Sequence, residues 1–247
     1  MKKKKVLTLL TTFAVTALPV VTLLGTDVSA APADRQTDYS TNGLGATSEG
    51  WINFTPNTDP VDPIDPDGGD DPYVPDDTPV NPDDTNPLKI VYVSTLDFDT
   101  QSISSEEQVY TANKVTTTSQ VDGTTKEMNP AVTISDGRGT GAGWTLQVQQ
   151  DSEFTDAASG DTLEGADLVL NQTDVYTNTA NNAVAPTGST AIDVNTTGNT
   201  NVLTAAVDAG QGTWQEEFEA QLTVAGNTAQ EGNYSTSLTW TLLDAPA

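Results

Sequence analysis

Gly137-Arg138-Gly139-Thr140-Gly141-Ala142-Gly143-Trp144-Thr145-Leu146 and Leu238-Thr239-Trp240-Thr241-Leu242-Leu243 are the stretches whose reading decides the fold. A strand sends side chains i and i+2 to one face, so Trp144 with Leu146, and Trp240 with Leu242, share a face. The first triplet continues in step to Val148, and the second is preceded in step by Tyr234 and Leu238. Each is expected to be a half-buried strand with one dry face. The glycine-rich run before Trp144 lacks the Gly-Lys-Ser/Thr of a phosphate loop and does not lead into a helix, so it reads as a hairpin or bulge region. Arg138 stands alone in it, either paired with a carboxylate or available to a ligand.

Working outward, the same alternation recurs through residues 88–247. Leu88 to Phe98 is expected to be the first strand, with Ile90, Tyr92, Leu96 and Phe98 in one parity. Val109 to Thr117, Val132 with Ile134, Asp167 to Asn171 and Asn201 to Asp208 supply further short strands. Trp214, Phe218, Ala220, Leu222 and Val224 alternate against Gln215, Glu217, Glu219, Gln221 and Thr223, with Glu216 intruding on the apolar face. Residues 172–200, rich in Asn, Thr and Gly, read as long loops. No stretch keeps a helical period over three turns. Many short strands separated by turn residues predict an all-β domain, a β-sandwich or a related barrel, over residues 88–247.

Upstream, three segments differ in composition. Residues 1–30 read as a secretory signal: Lys2 to Lys5, an apolar stretch from Val6 to Val21, and the small-residue triplet Val28-Ser29-Ala30. Cleavage there predicts a mature N-terminus at Ala31, secretion, and no membrane insertion afterwards. Residues 31–55 are polar except for Trp51, Ile52 and Phe54, and Thr47 to Pro56 is long enough for one strand that docks onto a sheet edge or stays a free extension. Residues 56–87 hold nine prolines and ten aspartates. Fixed φ, missing donors and like charges predict an extended, disordered acidic linker whose removal leaves the domain's stability unchanged. Asp65-Pro66-Asp67-Gly68-Gly69-Asp70-Asp71 resembles a calcium loop in composition, but its glycine falls out of place for one.

Charge and composition exclude several functions. The chain has 9 Lys+Arg, 35 Asp+Glu and a formal net charge of −26. Removing residues 1–30 takes away four lysines and Asp27, leaving 5 basic and 34 acidic residues. Such a chain does not bind nucleic acid through phosphates and is repelled by anionic lipids and anionic wall polymers. With no His and no Cys, there is no disulfide, no His-based triad and no Cys/His zinc site. Glu216, Glu217 and Glu219 are the nearest thing to a glycosidase pair. Alternation, however, puts Glu217 and Glu219 on the polar face, where exposed acids are expected. No catalytic residues, cofactor or metal site are assigned, and the protein is expected not to be an enzyme. The Asn-x-Ser/Thr triplets at Asn53, Asn171, Asn195 and Asn233 are what an Asn- and Thr-rich sequence produces by chance.

Taken together, the glycine-rich run into Gly143-Trp144-Thr145-Leu146, the roughly hundred-residue interval and the second Trp-Thr-Leu near the end resemble the WxL domain, a cell-surface domain of low-GC Gram-positive bacteria. Tyr92-Val93-Ser94 followed by Leu96-Asp97-Phe98 resembles that family's opening strand. The resemblance spans about residues 88–247 and implies a non-catalytic, wall-associated protein attached without a covalent bond, through peptidoglycan. It gives Trp144, Leu146, Trp240 and Leu242 as attachment motifs. Other WxL proteins and membrane-anchored surface proteins are the alternative main partners. No Leu-Pro-x-Thr-Gly signal occurs in the sequence, consistent with that mode. For the two tryptophans themselves, alternation on a dry face points to core packing. The other reading is stacking on a sugar ring.

Overall fold

The computed structural model describes residues 38–48, 50–81 and 85–246. The expected signal sequence lies outside the described residues. The chain divides into two units, Met1–Phe54 and Thr55–Ala247. In the first, β1 (Asp38–Tyr39) pairs antiparallel with β2 (Ala46–Thr47). The strand expected from Thr47 to Pro56 does not form: β2 ends at Thr47, and residues 50–56 have no regular structure. Trp51, Ile52 and Phe54 are 58%, 74% and 82% exposed.

Among the described residues of the second unit every regular element is a strand, as the alternation required. In chain order these are β3 (Tyr73–Pro75), β4 (Leu88–Val93), β5 (Gln108–Thr111), β6 (Val115–Ser119), β7 (Thr125–Met128), β8 (Ala131–Asp136), β9 (Trp144–Gln150), β10 (Thr155–Asp156) and β11 (Asp167–Tyr176). There follow β12 (Thr187–Gly188), β13 (Ala191–Val194), β14 (Thr200–Ala205), β15 (Gly212–Val224), β16 (Tyr234–Ser235) and β17 (Leu238–Leu243). A six-stranded sheet runs β13-β11-β15-β8-β4, with β5 also paired to β15. A four-stranded sheet runs β12-β14-β9-β17. All pairings in both are antiparallel. Their inner faces share one core, in which Trp144, Leu146, Val148 and Leu203 meet Ile134, Leu168, Leu170, Ile192 and Phe218. Two sheets that bury one face each against the other make a β-sandwich, which realises the all-β expectation.

Several details depart from the sequence reading, each for a physical reason. The first strand carries a bulge between Ile90 and Tyr92. One extra residue reverses the side-chain alternation, so Ile90 packs on the sandwich core while Tyr92 joins Val115, Met128 and Ala131 on the far side of the sheet. Val109 to Thr117 is not one strand but parts of β5 and β6, in different sheets. Residues 172–200 are not all loop: β11 continues to Tyr176, and β13 buries Ile192 and Val194. The last strand is divided, β16 pairing with β10 and β17 with β9.

The largest correction concerns residues 56–87, expected to form a disordered linker. Where described, this segment lies along the sandwich unit as a strap. β3 pairs with β6, and β6 with β7, in a three-stranded sheet. Ile64 and Tyr73 are buried. The aspartates find donors: Asp65 and Asp67 hold the Lys126 ammonium at 2.6 and 2.8 Å. Asp70 accepts from the backbone N–H of Thr179 at 2.8 Å, and Asp77 accepts from the Tyr92 hydroxyl at 2.7 Å and the Thr95 N–H at 2.9 Å. Composition described the segment as free chain. A few apolar residues suffice once a preformed surface receives them, and the carboxylates are satisfied by that same surface. Glu217, which the alternation had assigned to an exposed face, is buried as well, with the Asn129 N–H donating to its carboxylate.

Candidate functional site

Both tryptophan motifs lie in the four-stranded sheet, on neighbouring strands. β9 is flanked by β14 and β17, and across the β9–β17 pair Leu242 stands opposite Leu146 and Trp240 opposite Val148. Trp144 is fully buried, and its indole N–H donates to the Gly210 carbonyl at 3.0 Å. The glycine-rich run makes this approach possible. Gly143 has φ +77°, and a Cβ on it would lie 2.5 Å from the Ala205 carbonyl oxygen. A Cβ on Gly210 would lie 2.8 Å from the Trp144 indole nitrogen. Glycine is thus required where the backbone closes over the ring. Leu146 is fully buried too, so the first motif is core.

The second motif differs. Trp240 is half-buried on β17, an edge strand. Its ring stacks on Phe218 of the facing sheet, with centroids 6.1 Å apart and planes at 20°. Leu242 is likewise half-buried. Trp240 therefore serves both the core and the surface, a division its sequence pattern alone did not disclose.

Trp240 lines a groove of about 780 Å³ at one end of the sandwich, within the usual size of a small-ligand site, roughly 300–1,000 Å³. Phe98, Tyr110, Tyr234 and Leu238 extend its apolar floor. Its rims come from residues 97–103 and 229–237 and carry Asp97, Asp99, Gln230 and Asn233. No Lys or Arg is among the lining residues. The side-chain amides of Gln230 and Asn233 make no hydrogen bond among the described residues, leaving donors and acceptors turned over to solvent or a ligand.

Arg138, left open by the sequence, proves to be a clasp. Its guanidinium donates to both carboxylate oxygens of Asp136, from Nε at 2.9 Å and Nη2 at 2.7 Å. Nη2 also reaches the Gly143 carbonyl at 2.8 Å, and Nη1 pairs with Asp244. One buried cation thus joins the end of β8, the glycine-rich loop and the segment after β17.

The glutamates of β15 occupy opposite faces, as consecutive strand residues must. Glu216 is fully buried in the sandwich, between Val132 and Val175 on the adjacent strands. Burial pushes its pKa up to about 8, against a 3.0 Å hydrogen bond from the Gln172 amide that favours the charged form. Its Oε2 has no hydrogen-bond partner among the described residues. Glu217 lies under the strap-side sheet, pushed up to about 7 by burial and opposed by donation from the Asn129 N–H and Gln215. The two carboxyls do not face one cleft, and neither lines the groove.

The family model for the WxL domain, described as a surface cell wall-binding domain, matches residues 41–246. No match is found among curated proteins or solved structures.

Proposed function

The chain belongs to the WxL family of surface cell wall-binding domains, and on that premise we propose that it is secreted and held on peptidoglycan without a covalent bond or a catalytic step. The observation that carries this reading is the extent of the match, which begins upstream of the strap and takes in both motif strands. The net charge of −26 supports peptidoglycan over the anionic wall polymers, since long-range repulsion opposes approach to phosphate chains. The residues of the second motif couple the two properties: Trp240 and Leu242 close the sheet on β9, so loss of the last strand removes fold and attachment together.

A second reading has its own support. Trp51, Ile52 and Phe54 form an exposed apolar run in the N-terminal unit, and exposed apolar clusters mark contacts with other proteins. On that reading the chain is a subunit of a surface assembly, with another WxL protein or a membrane-anchored protein as its main partner. Incubation with purified peptidoglycan, no other protein present, separates the two. Co-sedimentation supports direct attachment, whereas retention only after a second surface protein is added supports the assembly. Release of soluble muropeptides during that incubation would contradict the non-catalytic reading.

A further inference from the structure

We propose, resting on the wall-attachment reading, that the groove beside Trp240 is where the domain takes hold of an uncharged wall glycan. A pyranose ring has two kinds of surface, faces of C–H bonds and an equator of hydroxyl and amide groups. The groove offers a counterpart to each. Phe98, Tyr234 and Trp240 supply aromatic floor, all three half-buried and so holding part of their surface open. Gln230 and Asn233 on the rim each present both a donor and an acceptor, and neither amide is engaged among the described residues. Neutral amides of this kind suit hydroxyl and acetamide groups and have no preference for an ion.

Charge decides between the polymers of a wall. Among the described residues that line the groove the carboxylates are Asp97 and Asp99, and no Lys or Arg is among them. A phosphate-bearing polymer would meet carboxylates without a counter-charge, in a protein already at −26. An uncharged strand of N-acetylated amino sugars meets no such opposition. The stacking of Trp240 on Phe218 at 6.1 Å then has a second consequence: the facing sheet sets the angle of the indole, so the glycan would be read on a ring held by the core.

The test uses the full chain carrying Trp51→Phe, which removes the most exposed tryptophan. Trp144 and Trp214 are buried, so the half-buried Trp240 becomes the tryptophan that reports on the groove. Soluble N-acetylglucosamine oligomers and, separately, a glycerol-phosphate polymer are titrated while tryptophan emission is followed, and sedimentation on purified peptidoglycan runs in parallel. The expected result is a saturable emission change with the amino-sugar oligomer and none with the phosphate polymer. Gln230→Ala with Asn233→Ala, both at exposed positions, should keep the melting midpoint and weaken both readouts about tenfold, a modest energetic loss. Phe98→Ala serves as a second variant, accepted only if its melting curve stays cooperative. If the parent chain sediments and the groove variants sediment equally well, the groove assignment is overturned while wall attachment stands. If the variants lose sedimentation but the oligomer never changes the emission, the occupant is the peptide portion of peptidoglycan and the glycan assignment is overturned. If the oligomer binds but the chain does not sediment, the groove assignment holds and peptidoglycan attachment fails. If neither occurs, both fail.

Discussion

Replacing Glu216 by Gln should make the domain's stability less dependent on pH, and the structure sets the size of the effect. The carboxyl sits in the core between two valines, with one oxygen hydrogen-bonded to Gln172 and the other without a partner among the described residues. Its folded pKa of about 8 stands above the ordinary 4.5 of the unfolded chain. Below the unfolded value both states carry the proton and the buried acid costs nothing extra. As pH rises from there the unfolded chain releases its proton first, so native stability falls, and the loss levels off above the folded value. Each pH unit in that window is worth about 1.4 kcal/mol, so on the order of 3 kcal/mol should disappear between pH 5 and pH 7. Glutamine has nearly the same shape, keeps an acceptor for Gln172 and cannot ionise. The variant should match the parent to within about 1 kcal/mol at pH 5 and exceed it by about 3 kcal/mol at pH 7. Urea unfolding of both proteins at several pH values measures this directly. The difference between them isolates Glu216, because Glu217, also raised, is present in both. A difference that stays constant from pH 5 to pH 7 would refute the burial of an unpaired carboxyl in the sandwich.

Three further outcomes follow from the packing. Trp144→Ala, which empties a fully buried site and strands the Gly210 carbonyl, should cost on the order of 3–5 kcal/mol in chemical denaturation, and Trp240→Ala, at a half-buried edge position, roughly 1–3 kcal/mol. Arg138→Ala leaves the buried Asp136 without its cation and should cost about 2–4 kcal/mol, with Arg138→Lys recovering only part because an ammonium cannot make the two-pronged contact. Deleting residues 56–81 removes Ile64, Tyr73 and β3 from the fold; at about 3 kcal/mol the melting midpoint should drop by roughly 6–12 °C, and an unchanged midpoint would restore the free-linker reading.

How much of this was legible in the sequence depends on whether a property is local. The pairing of Trp144 with Leu146 and of Trp240 with Leu242 on single faces needed only the two-residue period. The intrusion of Glu216 on the apolar face of β15 was visible for the same reason. That the two motifs are neighbours, Leu146 against Leu242, is a matter of sheet order, on which periodicity is silent. The bulge at Ile90 and Tyr92 defeated a parity argument because one inserted residue inverts everything after it. The strap was misread because proline and aspartate content measures what a segment does alone, and Asp65, Asp70 and Asp77 are satisfied by Lys126, Thr179 and Tyr92, all distant in sequence. The burial of Glu217 was missed because alternation gives the face of a side chain and not what lies over that face. The groove has rims drawn from residues 97–103 and 229–237, so no single stretch of the chain could have announced it.

The central claim is that the sandwich, closed by its last strand, holds the chain on peptidoglycan without a covalent bond. The most direct measurement compares the full chain with a chain ending before Tyr234, which lacks β16 and β17, in a melting curve and in sedimentation with peptidoglycan freed of protein and anionic polymer. The truncation exposes the backbone edge of β9 and removes Trp240 and Leu242 from the core. The full chain should melt cooperatively, sediment, and return intact to solution in guanidinium, while the truncated chain should do neither of the first two. A full chain that stays on the wall through guanidinium, or a truncated chain that still sediments, would contradict the account.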